Sequence, residues 1–329
     1  MDYSNFKIDM PNDVDFIINT IKSHGHQAYA VGGCVRDSIM GLTPNDWDIT
    51  TSALPSDIKE YFNKTIDTGI EHGTVTVMLH NVGYEVTTYR IDGEYKDGRH
   101  PSSVEFSDRL TDDLCRRDFT INAMAYNNVT GLVDEYGGID DINNRIIKCV
   151  GNPIERFTED ALRMMRAIRF SAQLGFTIDE ATWNAIKKLS PSISKISMER
   201  VHVELGKTLM SAHPDYVAQY SEAGLFAPIL PVIDNALKSR YKRKILATLQ
   251  HTPDNIYLRY AALFITSTPD EAAKTLRALK LDNKTVNTVS KLVELSKMDI
   301  EETEPAVRTA LNKYGRDFLP LWHELMMAV

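Results

Sequence analysis

The chain reads as an α/β head followed by an all-helical remainder, and the change in hydrophobic period along it carries that reading. As far as Asp141, an amphipathic helix pattern near Val14–Lys22 gives way to a strand-like run at Tyr29–Val31, with period-2 alternation at Thr74–Leu79 and Tyr84–Tyr89. From Pro153 onward the strand signals fade. Helical spacing predicts helices over Glu159–Leu174, Glu180–Leu189, Met198–Met210, Leu237–Leu249, Asp254–Ile265, Pro269–Leu279 and Asn283–Leu295. Pro214, Pro228, Pro231 and Pro269 mark the turns between them. With 329 residues, 43% of them hydrophobic, the chain is large enough for two or more domains.

Composition excludes several classes. No apolar run reaches the length of a membrane span, and no basic region followed by an apolar one opens the chain, so a cytoplasmic protein with no membrane partner is expected. Three dispersed cysteines, Cys34, Cys115 and Cys149, fit a reducing compartment better than a disulfide framework. A net charge of −8 argues against coating nucleic acid by bulk attraction. A local basic cluster, Lys238, Arg240, Lys242, Arg243 and Lys244, is either a solvated helix face or an RNA contact. No repeat of 20–50 residues and no low-complexity segment interrupts the chain.

Within the head, the run Ala30–Val31 enters Gly32-Gly33, and a helix-like segment carrying Arg36 and Asp37 follows. Glycines allow backbone N–H groups to approach a phosphate chain closely. After Gly41 and Pro44 a second apolar run presents Asp46-Trp47-Asp48. Strand residues alternate faces, so Asp46 and Asp48 share one side, roughly 6.5–7 Å apart, while Trp47 takes the other. Two hard carboxylates so placed suit Mg²⁺ and the two-metal chemistry of nucleotidyl transfer. An isolated Asp-x-Asp is more often a surface turn; its setting on an apolar strand after a Gly-Gly turn favours catalysis. Glu85 is either a third carboxylate or an exposed strand residue paired with Arg90.

Between Arg90 and Phe106 lies a charged, Gly-punctuated connection, either functional or an ordinary surface excursion. Next come Cys115-Arg116-Arg117-Asp118 and Asn122, where adjacent arginines could neutralise phosphate and Asp118 and Asn122 could meet ribose hydroxyls. A plain helix start with Asp118 near its N-cap is the alternative. In Glu159–Phe170, Ala161, Met164, Met165 and Ile168 fall on one helical face, with Arg163, Arg166 and Arg169 opposite. A solvated arginine face explains that pattern simply. Base chemistry explains it more sharply: cytosine and adenine both present an amino donor beside a ring-nitrogen acceptor. Asp160 and Arg163, three apart on a helix, could accept from the first and donate to the second. Guanine and uracil would leave both side chains mispaired.

The order of these motifs resembles that of the class II tRNA nucleotidyltransferases, the CCA-adding enzymes, which share their fold with bacterial poly(A) polymerases. Gly32-Gly33-Cys34-Val35-Arg36-Asp37 with Asp46-Trp47-Asp48 is similar to the family's metal and triphosphate motif, and Arg116-Arg117-Asp118 with Asn122-Ala123 to its ribose motif. Asp134-Glu135-Tyr136-Gly137-Gly138 resembles its hinge, Glu159-Asp160 with Arg163, Arg166 and Arg169 its protein template, and Met198–Val201 with Glu204 a buttressing helix. The resemblance implies a nucleotidyltransferase head of mixed sheet and helices over 1–141, a neck over 142–210, and a body and tail over 211–329. It implies that Gly33, Arg36, Arg117, Asp160, Arg163, Arg166 and Arg169 bind the nucleotide, and that Asp46 and Asp48 are catalytic and carry Mg²⁺. CTP, ATP and the 3′ end of tRNA are the implied partners, and addition of C, C and A the implied activity. The Arg90–Phe106 connection, with Asp97-Gly98-Arg99-His100-Pro101, favours the complete activity over a CC-only variant. The acidic chain lacks the basic extension expected of a poly(A) polymerase, and Asp46, Asp48 and Arg117 argue against a non-catalytic RNA-binding relative. A tail shorter than in many bacterial relatives makes the grip on tRNA there weaker as an expectation. The absence of any His-Asp dipeptide predicts no phosphohydrolase module.

Overall fold

The computed structural model describes residues 6–93, 104–298 and 318–329, with isolated positions between 308 and 315. Glu94–Ser103, which hold the Asp97–Pro101 stretch singled out above, lie outside the described residues. The chain forms two compact units, Met1–Asp160 and Ala161–Val329.

The first unit is built on a seven-stranded sheet. Helix α1 (Asn12–Ser23) buries Val14, Ile17, Ile18 and Ile21, a spacing that draws one stripe down a helix. Asp13 and Asp15 in its first turn and Lys22 in its last match the helix dipole. Strand β1 (Ala28–Val31) is buried along its whole length, and helix α2 (Gly33–Ile39) follows at once. Then come β2 (Ile49–Thr51), α3 (Pro55–Tyr61), β3 (Thr65–Gly69), β4 (Thr74–Leu79) and β5 (Val82–Thr88). His80 and Asn81, both at positive φ, form the two-residue turn between β4 and β5. A small β6–β7 ribbon (Arg90–Asp92 and Val104–Phe106) precedes α4 (Leu110–Cys115), and β8 (Met124–Asn127) and β9 (Gly131–Asp134) complete the sheet. Helices α5 (Gly138–Asn143) and α6 (Pro153–Glu159) end the unit. Asp134 anchors the turn into α5 by accepting from the N–H groups of Gly138 (2.8 Å) and Ile139 (2.9 Å).

The strand order is β3-β4-β5-β2-β1-β8-β9. The β2–β5 pair is parallel and the other five neighbouring pairs of this sheet are antiparallel. Central position explains why β1 reads as an unbroken apolar run: strands covered on both faces need no polar alternation. The expected head of mixed sheet and helices is what forms.

The second unit is helical. It begins with α7 (Leu162–Leu174), ended by Gly175 at φ 67°, and continues through α8 (Glu180–Leu189) and α9 (Met198–Leu209). After α10 (Ala218–Glu222) come α11 (Pro231–Lys238), α12 (Lys242–His251), α13 (Ile256–Leu263), α14 (Pro269–Ala278) and α15 (Asn283–Leu295). Side-chain caps open many of them. Asp179, Asn255 and Asp282 accept from first-turn N–H groups, and Thr268 with Glu271 forms a reciprocal capping box. Those hydrogen bonds hold the Glu271 carboxyl below its ordinary range. The final helix, Phe318–Ala328, packs Phe318, Leu319 and Trp322 against Leu295 and Tyr314.

Two expected helices are each broken in two. Glu159–Leu174 is interrupted at Asp160-Ala161, where Asp160 is extended (φ −141°, ψ 106°). Leu237–Leu249 is interrupted at Ser239–Tyr241, with the Ser239 hydroxyl accepting from Tyr241 N–H at 3.1 Å. In both places a short polar side chain favours the local turn over a continuing helix.

Helices α7 and α9 meet over a buried ion pair. Arg169 Nε donates to Glu204 Oε2 at 2.6 Å, with both side chains under 10% exposed. Removing one partner of such a pair strands the other charge in the core. Glu204→Ala is therefore expected to lower unfolding free energy by about 3–5 kcal/mol, read from urea denaturation. The double variant Arg169→Met/Glu204→Leu should regain most of that loss.

Candidate active site

Asp46 and Asp48 lie just ahead of β2, not on it: the strand begins at Ile49. The expected strand starts three residues early, because β5 pairs with β2 only from Ile49 onward. The pleat nevertheless extends backward. Val31 N–H donates to the Asp48 carbonyl at 3.0 Å, which continues the β1–β2 ladder. Trp47 is 8% exposed, while Asp46 and Asp48 are turned outward into a cleft. The alternation read from the sequence is therefore present.

The parallel register adds a third acid. Ile49 pairs with Val86, so one step back sets Glu85 abreast of Asp48. Asp46, Asp48 and Glu85 line one cleft of about 560 Å³, together with Trp47, Tyr84 and Pro44. Desolvation by the cleft wall, reinforced by the charges of Asp46 and Glu85, pushes the Asp48 carboxyl up to about 6, against the opposing pull of Arg117. Like charges crowded this way favour a bound cation. Among the described residues no preformed cluster of three ligands exists, so the fit to a hard divalent ion rests on the Asp46–Asp48 pair with Glu85 beside it.

The opposite side of the site is cationic. Gly32 adopts φ 84°, and a Cβ there would stand 3.1 Å from Arg117 Nη1, so the Arg117 guanidinium lies directly on the Gly-Gly turn. Only glycine satisfies both the backbone angle and that approach. Arg116 and Arg117 are both held by Asp113, which is fully buried. Burial raises the Asp113 carboxyl, but the two guanidiniums outweigh it and bring it down to about 2. A lowered carboxyl contributes stability above its ordinary range and loses it only as pH falls through about 2, so the clamp stays charged under working conditions. Asp113 is the functional candidate that sequence reasoning missed. The signal was present: an acid three and four residues ahead of two adjacent arginines, inside an apolar helix turn.

Arg36, expected to contact the nucleotide, is a largely buried side chain of α2. It is 8% exposed, ion-paired to Asp37 at 2.7 Å, and its Nη1 donates to Asn122 Oδ1 at 2.6 Å. Asn122 in turn donates to Asp118, which also accepts from Phe119 N–H. Arg36, Asn122 and Asp118 thus form one buried relay behind the Gly-Gly turn. Cys34 beside it is inert: burial and the Asp48 charge push its thiol up to about 12.

The expected base-reading residues distribute unevenly. Asp160 is the C-cap residue of α6 and Arg163 lies in the first turn of α7, so one helix does not carry both. Within the first unit Arg156 ties this end of α6 together, donating to the Cys115 carbonyl (3.2 Å) and pairing with Glu159 (2.7 Å). Arg163 and Arg166 are half-buried on α7. Arg169 departs from the expected open polar face. It is buried, lies 3.8 Å over the Phe170 ring, and is engaged by Glu204 and Gln173. One turn beyond Met165, it falls at the edge of the packed stripe rather than opposite it. In the basic cluster, Lys238 pairs with Asp234 and Lys242 with Glu222, and Arg240 lies over Tyr241.

Gly32→Ala should move Arg117 off the turn. The expected result is a loss of about 1 kcal/mol or more in stability, measured by thermal melting.

Residues 28–148 match the family model described as the poly A polymerase head domain, and residues 175–237 match the one described as the probable RNA and SrmB-binding site of polymerase A. The chain is similar to the CCA-adding enzyme of Ligilactobacillus salivarius, at 52% identity over 198 residues, 60% of this chain and 49% of that protein. It is also similar to the CCA-adding enzyme of Streptococcus suis, at 40% identity over 321 residues, 95% of this chain and 77% of that protein. The chain spans about half the length of the lactobacillus relatives it matches, 49% and 55% of two of them. A solved structure, the Bacillus stearothermophilus CCA-adding enzyme in complex with CTP, matches with a TM-score of 0.77 at 34% identity, over 95% of this chain and 80% of that one. No helix among the described residues is long and apolar enough to cross a membrane. Sequence, fold and the arrangement of carboxylates and arginines agree: the chain belongs to the family of the CCA-adding enzymes, which is generally dependent on divalent metal.

Proposed function

We propose that this protein adds C, C and A without a nucleic-acid template to the 3′ end of tRNA, using CTP and ATP and releasing pyrophosphate, in the cytoplasm. One observation carries the reading: three carboxylates line one cleft, and the Arg117 guanidinium, laid on the Gly32-Gly33 turn, is near enough to act on the Asp48 charge. That is the charge pattern needed to align a hydroxyl nucleophile with a triphosphate.

Asp46 and Asp48 fit a divalent cation such as Mg²⁺, which when bound lowers the proton affinity of the attacking hydroxyl and neutralises the departing phosphates. The chain's own residues do the rest. The Gly33 backbone gives the triphosphate a close approach, and Arg117 draws on its negative charge. Arg36 keeps Asn122 and Asp118 in register for the ribose hydroxyls. The terminal 3′ hydroxyl of tRNA attacks the α-phosphate, the P–O bond to pyrophosphate breaks, and the proton leaves to solvent. Base choice is assigned to Asp160 and Arg163 on side-chain chemistry: an acceptor for the amino group of C or A, a donor for the adjacent ring nitrogen. Arg163 and Arg166 add positive charge for the nucleotide, while Arg169 braces α7 against α9 through its bond to Glu204. Residues 142–210 serve as the neck, and 211–329 as body and tail for the tRNA. The likeness of residues 28–148 to the poly A polymerase head domain supports one alternative, extension by ATP alone.

Incubation with tRNA lacking its 3′ end and single nucleoside triphosphates tests this. Two C residues from CTP, then one A from ATP, then arrest is the expected sequence of products on a denaturing gel; unlimited ATP addition would establish the alternative. Asp46→Ala should abolish incorporation while leaving tRNA binding by gel shift intact.

Replacement of both Asp160 and Arg163 by alanine should lower CTP incorporation and narrow its advantage over UTP by about tenfold or more, the worth of a mispaired polar contact. Unchanged discrimination would remove these two residues from base choice.

A further inference from the structure

Asp113 is fully enclosed beside the candidate active site, yet no step above uses it. Its neighbours in α4, Leu110 and Leu114, pack against Tyr29, Val31, Tyr89 and Ala125. An apolar side chain at 113 would suit that packing, and a buried carboxylate is retained at a cost in stability. What the carboxylate supplies is direction. Oδ1 accepts from Arg116 Nε at 2.9 Å and Nη2 at 2.6 Å, a fork that fixes the guanidinium plane. Oδ2 accepts from Arg117 Nη2 at 2.9 Å and from the Thr50 hydroxyl at 3.1 Å. Thr50 lies on β2, two residues past Asp48. A single side chain thereby joins the arginine turn to the strand that follows the metal-site carboxylates.

The charge count matters as much as the geometry. One carboxylate shared by two guanidiniums leaves the group of Asp113, Arg116 and Arg117 with a net positive charge. On Arg117 the edge away from Asp113 stays unspent: Nη1 faces the Gly32 turn, and Nε is buried with no hydrogen-bond partner among the described residues.

We propose that Asp113 is a positioning residue for the nucleoside triphosphate: together with Thr50 it holds Arg117 on the Gly32-Gly33 turn, so that the guanidinium meets the phosphate chain already oriented. This role rests on Arg117 being a nucleotide contact, as read under the proposed function. It is indifferent to the base, so CTP and ATP are affected alike, and it acts only where there are phosphates beyond the first.

The test is titration of CTP, ATP and CMP against the full chain without tRNA, for wild type, Asp113→Asn, Thr50→Val, Arg117→Ala and the Asp113→Asn/Arg117→Ala double variant. Asp113→Asn should weaken CTP and ATP equally, by about tenfold to a hundredfold, the worth of a charge-assisted hydrogen bond, and leave CMP unchanged. The double variant should bind no more weakly than Arg117→Ala, because both changes act through one guanidinium. Equal losses for CTP and CMP, or additive losses in the double variant, would overturn the role in favour of a purely structural one. If Asp113→Asn does not fold, Thr50→Val decides by the same criterion: weaker CTP with unchanged CMP supports the role, and unchanged CTP overturns it. Wild type that binds neither triphosphate overturns the proposed function and this role with it; wild type that binds them while Asp113→Asn binds as well overturns this role alone.

Discussion

The head unit must hold like charges close together, and main-chain pairing rather than side-chain attraction does the holding. Asp48 is fixed by its carbonyl bond to Val31, and Glu85 by the parallel pairing of β5 with β2. Neither carboxylate would choose that neighbour: burial raises the proton affinity of Asp48, and the charges of Asp46 and Glu85 raise it further. The ladder of backbone hydrogen bonds is indifferent to side-chain charge, so the sheet can impose a repulsive arrangement that a loop could not. The remaining parts of the site follow from that imposition. A helix and an arginine-bearing turn are placed where their charges oppose the cluster.

Each unit solves the problem of aiming an arginine in the same way. In the first, Asp113 is buried against Arg116 and Arg117; in the second, Glu204 is buried against Arg169. An exposed ion pair would fix neither rotamer, because water competes for both partners. Enclosure removes the competitor and leaves one favoured geometry. The cost in desolvation is carried by the apolar packing around each pair, Leu110 and Leu114 in the first unit and Val201 and Leu205 in the second.

Much of this was legible beforehand because it is local. The Gly-Gly turn, the alternation about Trp47 and the helical period after Pro153 are properties of neighbouring residues, and the folded chain retains them. Breaks were less legible. Asp160 and Ser239 sit inside sequences whose apolar spacing continues across them, and periodicity alone does not register a residue that prefers a turn. Least legible were the partners brought in by topology. Glu85 was open between a third carboxylate and a partner of Arg90; the parallel register of β2 and β5 is what sets it beside Asp48, 37 positions away in the chain. Arg169 was misplaced for a related reason: helical spacing assigned it to the polar face, while the acid that draws it inward lies on another helix.

The backward extension of the pleat through Asp46-Trp47-Asp48 has a consequence for how this family can vary. Between Pro44 and Ile49 the chain is held at one end by the Val31 bond and reads inside and outside on alternate residues. Inserting or deleting a single residue there would turn the indole outward and drive both acids into the core. Composition in that stretch is therefore freer than its length, and divergence among such proteins should accumulate as replacements while the count of residues stays fixed.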